Sequence, residues 1–290
     1  MPMQRLRTGI DLYYERHGQG EPLVLIPGTG FSADVWLPDQ VPELSRSLEV
    51  IVFDPRGVGR SSHPAGVYTV EQMSADVVDL LDQLEFSSAH VLGHSMGGRI
   101  GLAMALDFPG RVRSLILAAS GSGPAAREGP DCVPGLPFYL VSELVEMGFE
   151  EFVRHEVVDT STYFTDEFRQ RHPDRVASFY QLVWQHHART HEYLRQCIAR
   201  HSWEGTHRLG DVAVPTLVLI GEADVIGSNH VLQAEVLGSR IPDARYEVLK
   251  GQSHGFFWQA PADTNARILE WVRAHPGGDA ARVESSAALV

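Results

Sequence analysis

The sequence predicts an α/β fold in which a mostly parallel sheet is covered by helices on both faces. Short, uniformly apolar runs recur along the chain, and segments with helical periodicity separate them. Strands of this kind are typical of parallel sheets, because crossover helices cover both of their faces. The alternation stops between about residues 121 and 210, where only helical patterns follow one another. This interruption predicts a helical segment inserted before one of the later strands.

The strands are predicted from hydrophobic patterns. Two alternating segments, 5–8 and 10–16, indicate an antiparallel hairpin at one edge of the sheet. Continuous apolar runs predict five buried strands at residues 23–26, 50–53, 89–93, 115–118 and 216–220. One further strand is expected at residues 246–249.

Helices are predicted between these strands. Residues 70–84 carry apolar side chains at spacings of three and four, and Thr69 with Gln72 forms a capping-box pattern before them. Residues 96–108 and 262–274 also have helical patterns, ended by Pro109 and Pro276.

The domain organisation follows from the break in alternation. We expect an α/β core formed by residues 1–122 and 210–275, with a helical cap at residues 123–209 over the functional edge of the sheet. Helical patterns within the cap cover residues 140–147, 150–158, 166–171, 175–187 and 191–200. Residues 276–290 are small and polar, which is typical of a disordered tail.

Charge and composition exclude several classes of partner. The 290 residues carry a formal net charge of −13 and only one lysine, Lys250, so we expect neither nucleic acid nor an anionic membrane surface as a partner. No apolar run approaches the ~18 residues of a membrane span. The first residues lack the apolar stretch of a signal peptide, and we expect a cytoplasmic protein. The sequence does not indicate an oligomeric state.

The two cysteines have no metal-binding pattern. Cys132 and Cys197 lack CxxC or zinc spacing, and we interpret them as reduced thiols, with a disulfide between them as the alternative. No cofactor and no metal ion are expected.

A candidate nucleophile lies in the segment Gly93-His94-Ser95-Met96-Gly97, between a predicted strand and a predicted helix. A sharp strand-to-helix turn forces the serine into a strained conformation and leaves room only for glycine two residues to either side. The turn exposes the serine hydroxyl at a helix N-terminus, where the dipole favours developing negative charge. The pattern therefore predicts Ser95 as a nucleophile.

A serine nucleophile needs a base, and the base needs an acid that orients it. In this architecture the acid and then the histidine follow the serine along the chain. Asp224 and His254 each come just after a later strand, at the sheet edge where Ser95 is expected. Glu222 and Asp243 are the competing carboxylates, but Asp243 precedes a strand. We predict Asp224 as the acid and His254 as the base.

These motifs resemble the α/β-hydrolase superfamily across residues 5–275, and most of all the esterase and lactonase group that includes 3-oxoadipate enol-lactonases. The matching segments are Ile26-Pro27-Gly28-Thr29-Gly30, residues 53–61, Gly93-His94-Ser95-Met96-Gly97-Gly98, residues 221–224 and residues 251–257. The resemblance implies a serine hydrolase whose oxyanion hole is formed by the backbone amides of Thr29 and Met96. The chain departs from the family pattern at Pro27, where histidine is usual, and at Gln252-Ser253, where a small residue and glycine are commoner.

Two other patterns suggest different sites. Gly28-Thr29-Gly30-Phe31-Ser32-Ala33 with Asp54 fits a dinucleotide-binding fingerprint, but that interpretation leaves Ser95, Asp224 and His254 unexplained. His187 and His191 have the i, i+4 spacing of a metal pair without an evident third ligand.

The cap is rich in aromatic residues, and we expect some of them to face the substrate. Candidate substrate-binding residues are Gly28, Gly30, Phe138, Trp184 and Phe256. A mainly apolar or aromatic ester or lactone is the expected substrate. Three cap arginines, Arg154, Arg189 and Arg195, pair either with a substrate carboxylate or with nearby glutamates, and the sequence does not decide between these.

Two other functions fit the same residues. The same triad can hydrolyse carbon–carbon bonds or perform perhydrolysis. A ligand receptor or other non-catalytic binding protein on this fold is a third hypothesis.

Overall fold

A computed structural model describes residues 2–128, 138–226 and 230–277, with the backbone alone for residues 127, 128, 138 and 139. Its sheet has eight strands in the order β1-β2-β4-β3-β5-β6-β7-β8. The first two strands run antiparallel to their neighbours, and all later pairs are parallel. The predicted fold class, a mostly parallel sheet with helices on both faces, is confirmed.

Apart from β1, the strands occur where they were predicted, and most extend by one or more residues. They are β1 Met3–Arg5, β2 Asp11–His17, β3 Glu21–Ile26, β4 Leu48–Phe53, β5 Ala89–His94, β6 Val112–Ala118, β7 Thr216–Gly221 and β8 Ala244–Leu249. The central strands β3 to β7 are almost entirely buried, as uniformly apolar sequences require. β8 lies at the edge of the sheet and stays half-buried.

Helices fill the connections between the strands. The α-helices are α1 Val41–Leu44, α2 Val70–Gln83, α3 Met96–Asp107, α4 Pro124–Glu128, α5 Phe138–Met147, α6 Phe149–Arg154, α7 Asp166–Arg171, α8 Pro173–Gln185, α9 Thr190–Ser202, α10 His230–Arg240, α11 Phe256–Gln259 and α12 Pro261–Ala274. A π-helical turn, His155–Asp159, follows α6, and 3₁₀ turns cover Ala33–Trp36, Pro109–Arg111 and Thr206–Asp211.

Between β6 and β7, the described residues are helical and contain no strand. We call the segment from α4 to α9 the helical insert. It is tied to the loop after β3 by two backbone contacts: Gly30 donates its N–H to Gln196 Oε1 at 2.7 Å, and Ala188 donates to the Gly30 carbonyl at 2.9 Å. The insert therefore lies over the carboxyl end of the sheet, where β3 ends.

The N-terminal hairpin differs from the predicted one in its first strand. β1 ends at Arg5, because the chain turns at Gly9, which has a φ of 90°, and Leu6 pairs with Ile10 across that turn. A positive φ suits glycine, which has no Cβ to clash. The segment predicted as strand 5–8 is thus largely the turn itself.

At the C-terminal end, contacts with the sheet extend beyond residue 275, where the core was predicted to end. Gly277 is buried and donates its N–H to Glu21 Oε1 at 2.7 Å, so the predicted tail does not begin at residue 276. The rest of that predicted tail, 278–290, and Cys132 lie outside the described residues. Cys197 is buried and has no disulfide partner among the residues described.

No helix in the described ranges combines the length and the apolar character that crossing a bilayer requires.

Candidate active site

Ser95 occupies the turn between β5 and α3 with φ 55° and ψ −117°. This is a left-handed conformation that side-chain-bearing residues rarely adopt. The turn is possible because its neighbours are glycines: a Cβ on Gly93 would lie 2.1 Å from the Gly97 carbonyl oxygen, and one on Gly97 would lie 2.2 Å from that of Ile26. Close backbone packing therefore holds Ser95 at the start of α3, as the sequence predicted.

The loop after β3 lies directly beside Ser95. A Cβ on Gly28 would approach the Cβ of Ser95 to 3.4 Å. Among the described residues, no protein acceptor takes the N–H of Thr29 or that of Met96, the first residue of α3. These are the two amides that the resemblance to α/β-hydrolases implies for an oxyanion hole.

Asp224 and His254, predicted from separate loops, are in direct contact. His254 Nδ1 lies 2.8 Å from Asp224 Oδ2, and both side chains are fully buried. The other oxygen, Oδ1, accepts the N–H of Ile226 at 3.0 Å. Since Nδ1 donates to the carboxylate, Nε2 is the nitrogen left to accept a proton, and it has no hydrogen-bond partner among the described residues.

The two groups have shifted pKa values. Burial lowers the pKa of His254 below its ordinary 6.5, although the Asp224 carboxylate opposes this effect. Burial raises the pKa of Asp224, but His254 and His230 outweigh it and hold that pKa well below its usual value. At neutral pH the pair is therefore a neutral imidazole hydrogen-bonded to a carboxylate.

His94, the residue before Ser95, contacts His254. The ring of His94 lies 4.7 Å from the ring of His254, and His94 Nε2 donates to the His254 carbonyl at 3.0 Å. Burial, with a contribution from His254, lowers the pKa of His94 well below its usual value, so the His94 ring is neutral. Among the described residues, no hydrogen bond joins Ser95 Oγ to His254 Nε2; such contacts are often long without substrate.

A third group contacts the same carboxylate. His230, at the start of α10, places Nδ1 3.1 Å from Asp224 Oδ2. The donor atoms of Asp224, His230 and His254 lie within 4.8 Å of one another, close enough to bind a metal ion. The N···O distances of 2.8 and 3.1 Å are those of hydrogen bonds, and we assign them as such. Sequence analysis missed His230, because nothing in its local pattern links it to Asp224.

A cavity of about 210 Å³ separates the sheet edge from the helical insert, and Ser95 lies in its wall. One part of the lining is aromatic and includes Phe31, Phe152, Tyr163 and Tyr193. Another part is charged, with Glu143, Glu156 and Arg200. The lining is thus more polar than the aromatic-rich cap sequence led us to expect.

Arg200 contacts one residue of the predicted oxyanion hole. Its Nη1 lies 3.2 Å from Thr29 Oγ1. Burial raises the pKa of Glu156, and Arg200 acts in the opposite direction. Arg200 was not predicted from the sequence. It follows Tyr193 by seven residues and Cys197 by three on α9, and this spacing places it on the buried face of that helix.

His187 is a neutral member of the cavity wall. Its Nδ1 lies 2.8 Å from the Ala188 carbonyl, and burial lowers its pKa to about 4. Because Nδ1 donates to the carbonyl, Nε2 is a hydrogen-bond acceptor at neutral pH.

The predicted substrate-binding residues are only partly found near the cavity. Gly28 and Gly30 belong to the loop beside Ser95, although neither has a side chain to line the cavity. Trp184 stacks on His187 at 6.2 Å, outside the cavity lining. Phe256 is fully buried against His94 and Phe257, so the expectation for this residue is corrected. The side chain of Phe138 lies outside the described residues.

Comparison with known proteins decides the family. A family model described as the alpha/beta hydrolase fold matches residues 21–261, which include Ser95, Asp224 and His254. The chain belongs to this family. The resemblance inferred from the motifs is thereby confirmed, and the protein is a hydrolase of this fold.

Individual α/β-hydrolases resemble the chain over most of its length. A relative from Azorhizobium caulinodans named "Putative carbamate hydrolase RutD" is 30% identical over 263 residues, which cover 89% of this chain and 94% of the relative. The crystal structure of an enol-lactonase from Burkholderia xenovorans has a TM-score of 0.78 at 26% identity and covers 93% of this chain and 98% of its own. A thermophilic esterase from Thermogutta terrifontis has a TM-score of 0.80 at 25% identity, with coverages of 95% and 100%.

The α/β-hydrolase fold also accounts for the residues that suggested other sites. Asp54 is fully buried, and its carboxylate accepts hydrogen bonds from the Ala33 and Arg60 amides and the Arg60 guanidinium. It is therefore saturated by the protein and unavailable to a ribose. His187 faces the cavity whereas His191 is exposed, so the two do not form a metal pair.

Two of the insert's arginines pair with the protein's own carboxylates. Arg154 contacts Glu151 and Asp159, and Arg195 contacts Glu192. Arg189 is exposed. The choice that the sequence left open is thus decided for Arg154 and Arg195 in favour of neighbouring acidic residues.

Proposed function

We propose that the protein is a serine hydrolase that cleaves a small carboxylic ester or lactone through an acyl-enzyme on Ser95. The observation that carries this proposal is the state of His254: Nδ1 is hydrogen-bonded to Asp224, and the buried Nε2 has no partner in the described part of the chain. An imidazole oriented in this way can act as a general base, because Nε2 is available to accept a proton from the nucleophile. The similarity to an enol-lactonase and an esterase supports an ester-type bond as the target.

The mechanism uses the chain's own groups. Ser95 Oγ attacks the carbonyl carbon while His254 Nε2 takes its proton, and Asp224 stabilises the imidazolium that forms. The amides of Thr29 and Met96 donate to the tetrahedral oxyanion. His254 then gives the proton to the leaving alcohol oxygen, and the C–O bond of the ester breaks. In the second half, His254 deprotonates a water molecule that attacks the acyl-enzyme, and the acid leaves as Ser95 regains its proton.

The cavity limits the substrate. Its volume of about 210 Å³ is below the roughly 300–1,000 Å³ of pockets for drug-sized ligands, which favours a small molecule. The aromatic side chains suit an apolar body, as the cap sequence suggested. Arg200 and Glu156 give one part of the cavity wall a charged surface, which favours a polar group at one end of the molecule.

The first test replaces the nucleophile. Ser95→Ala is expected to lower kcat for p-nitrophenyl acetate by at least about 10³-fold, because the nucleophile is lost while the fold is kept. A fluorophosphonate probe should label the unsubstituted protein and leave Ser95→Ala unlabelled. Circular dichroism and thermal melts of both proteins control for folding. Turnover retained by Ser95→Ala would contradict the proposal.

The same experiments separate the alternative functions. A non-catalytic binding protein would show neither ester turnover nor probe labelling. A carbon–carbon hydrolase would be labelled but would prefer a vinylogous diketone over esters in product analysis. A panel of esters and lactones of graded acyl size, with and without a polar terminus, then defines the substrate.

A further inference from the structure

We infer that His230 is a positioning residue that donates a hydrogen bond to the same Asp224 carboxylate as His254. By doing so, it limits how strongly the carboxylate stabilises a proton on His254. This inference rests on the proposed function. His230 Nδ1 and His254 Nδ1 lie 3.1 and 2.8 Å from the same oxygen, Asp224 Oδ2, and their rings are 5.2 Å apart. From the residues that the structure describes, Asp224 thus accepts three hydrogen bonds, two of them from imidazoles and the third from the Ile226 amide.

The shared oxygen makes the two histidines competitors. A carboxylate oxygen that already accepts one N–H is a weaker acceptor for a second. While His230 donates, less of the negative charge on Oδ2 is available to stabilise an imidazolium at His254. When His230 carries a proton on both nitrogens it also acts directly, because a positive charge 5.2 Å away disfavours a second one on His254. Both effects keep His254 in the neutral form that accepts a proton.

The position of His230 makes this role specific. It is buried and lines a small cavity of about 40 Å³ that also reaches Ser95 and Met96. The titratable and charged groups that face it come from several elements: Asp224 after β7, His254 after β8, His94 on β5, Arg99 on α3, and Arg200 and His201 on α9. Asp224 is the only carboxylate in this set, so the balance of charge at the site depends on how its oxygens are shared.

The test compares two nearly isosteric variants. His230→Asn keeps an N–H donor near the position of Nδ1, whereas His230→Leu removes it. In His230→Leu, the acidic limb of the kcat/KM profile is expected to move to higher pH by about one unit, a tenfold gain in proton affinity. In His230→Asn the acidic limb of the profile should lie at a pH closer to that of the unsubstituted protein. Assays contain EDTA, so that metal binding to the cluster does not affect the result.

A merely structural role would give a different result. Loss of packing at the start of α10 would lower stability or kcat in both variants and leave the limb in place. Equal limbs in His230→Leu, His230→Asn and the unsubstituted protein would overturn the inference.

A second readout does not depend on the substrate. The imidazole nitrogens of His254 can be titrated by ¹⁵N NMR in the unsubstituted protein and in His230→Leu. A higher pKa of His254 in the variant supports the inference even if no ester is turned over, and an unchanged pKa rejects it. Absence of ester turnover and probe labelling in the unsubstituted protein would instead reject the proposed function.

Discussion

At the scale of single residues, the site depends on a backbone conformation that the chain adopts at a cost. Ser95 has a positive φ of 55°, a region that costs a residue with a Cβ about 1–3 kcal/mol. In this conformation Ser95 lines the same cavity as Glu156 and Arg200. The proposed role of Ser95 as a nucleophile and the stability of the fold therefore make opposite demands on position 95.

This conflict predicts an unusual order of stabilities. Glycine normally destabilises relative to alanine, but it adopts positive φ without steric cost. We expect Ser95→Gly to be at least as stable as Ser95→Ala, with a difference of up to about 1 kcal/mol in the free energy of unfolding. Urea denaturation of both variants measures it.

The control is an exposed helical position. Ala266→Gly, within α12, should lose about 1 kcal/mol, the usual cost of glycine in a helix. If Ser95→Gly were less stable than Ser95→Ala by a similar amount, position 95 would not be strained.

At the scale of elements, local patterns predicted the core well. Helices α2 and α3 begin at the predicted residues, Val70 and Met96, and α2 carries the expected capping box. The central strands were predictable because each is buried on both faces and leaves a continuous apolar run. Short elements such as α1 and α11, of four residues each, leave no period to detect and were missed.

The site was predictable to the same extent. Ser95, Asp224 and His254 were found because each follows a recognisable strand and their order is fixed by the fold. His230 was missed because no local pattern links it to Asp224, and Arg200 because its contact depends on packing between distant elements. Their contacts are with Asp224 and Thr29, respectively 6 and 171 residues away in the chain.

The capping box gives a prediction at this scale. Thr69 Oγ1 accepts the N–H of Gln72 at 3.1 Å, and Gln72 Oε1 accepts the N–H of Thr69 at 3.3 Å. Thr69→Ala removes the first acceptor and should lower the free energy of unfolding by about 1 kcal/mol. Thr69→Ser keeps the hydroxyl and is expected to stay within a few tenths of the original value. Equal losses in both variants would mean that the methyl packing of Thr69, and not the cap, stabilises α2.

At the scale of the whole molecule, buried histidines link folding to pH. Burial lowers the pKa of four of them, His90, His94, His187 and His254, below the ordinary value of 6.5. Their folded pKa values lie below their unfolded values, so the unfolded chain binds more protons as pH falls through 6.5. Stability is therefore present above about pH 6.5 and is lost progressively below it. Burial raises the pKa values of Asp76 and Glu156, and these two carboxyl groups act in the opposite direction.

His187 allows this linkage to be measured at one residue. With a folded pKa of about 4 and an unfolded value of 6.5, it should lower the free energy of unfolding by about 2 kcal/mol between pH 7.5 and pH 5. His187→Phe removes the titration, and its ring can pack among Phe31, Phe149, Trp184 and Tyr193, which surround His187 at 5.6 to 6.2 Å. Urea denaturation at pH 7.5, 6 and 5 should therefore show a smaller loss of stability in the variant than in the unsubstituted protein. If the two proteins lose the same free energy over this range, His187 is protonated as easily in the folded state as in the unfolded chain, and the insert does not isolate it from solvent. A smaller loss in the variant would show that protonation of His187 opposes folding, as its low pKa in the folded protein requires.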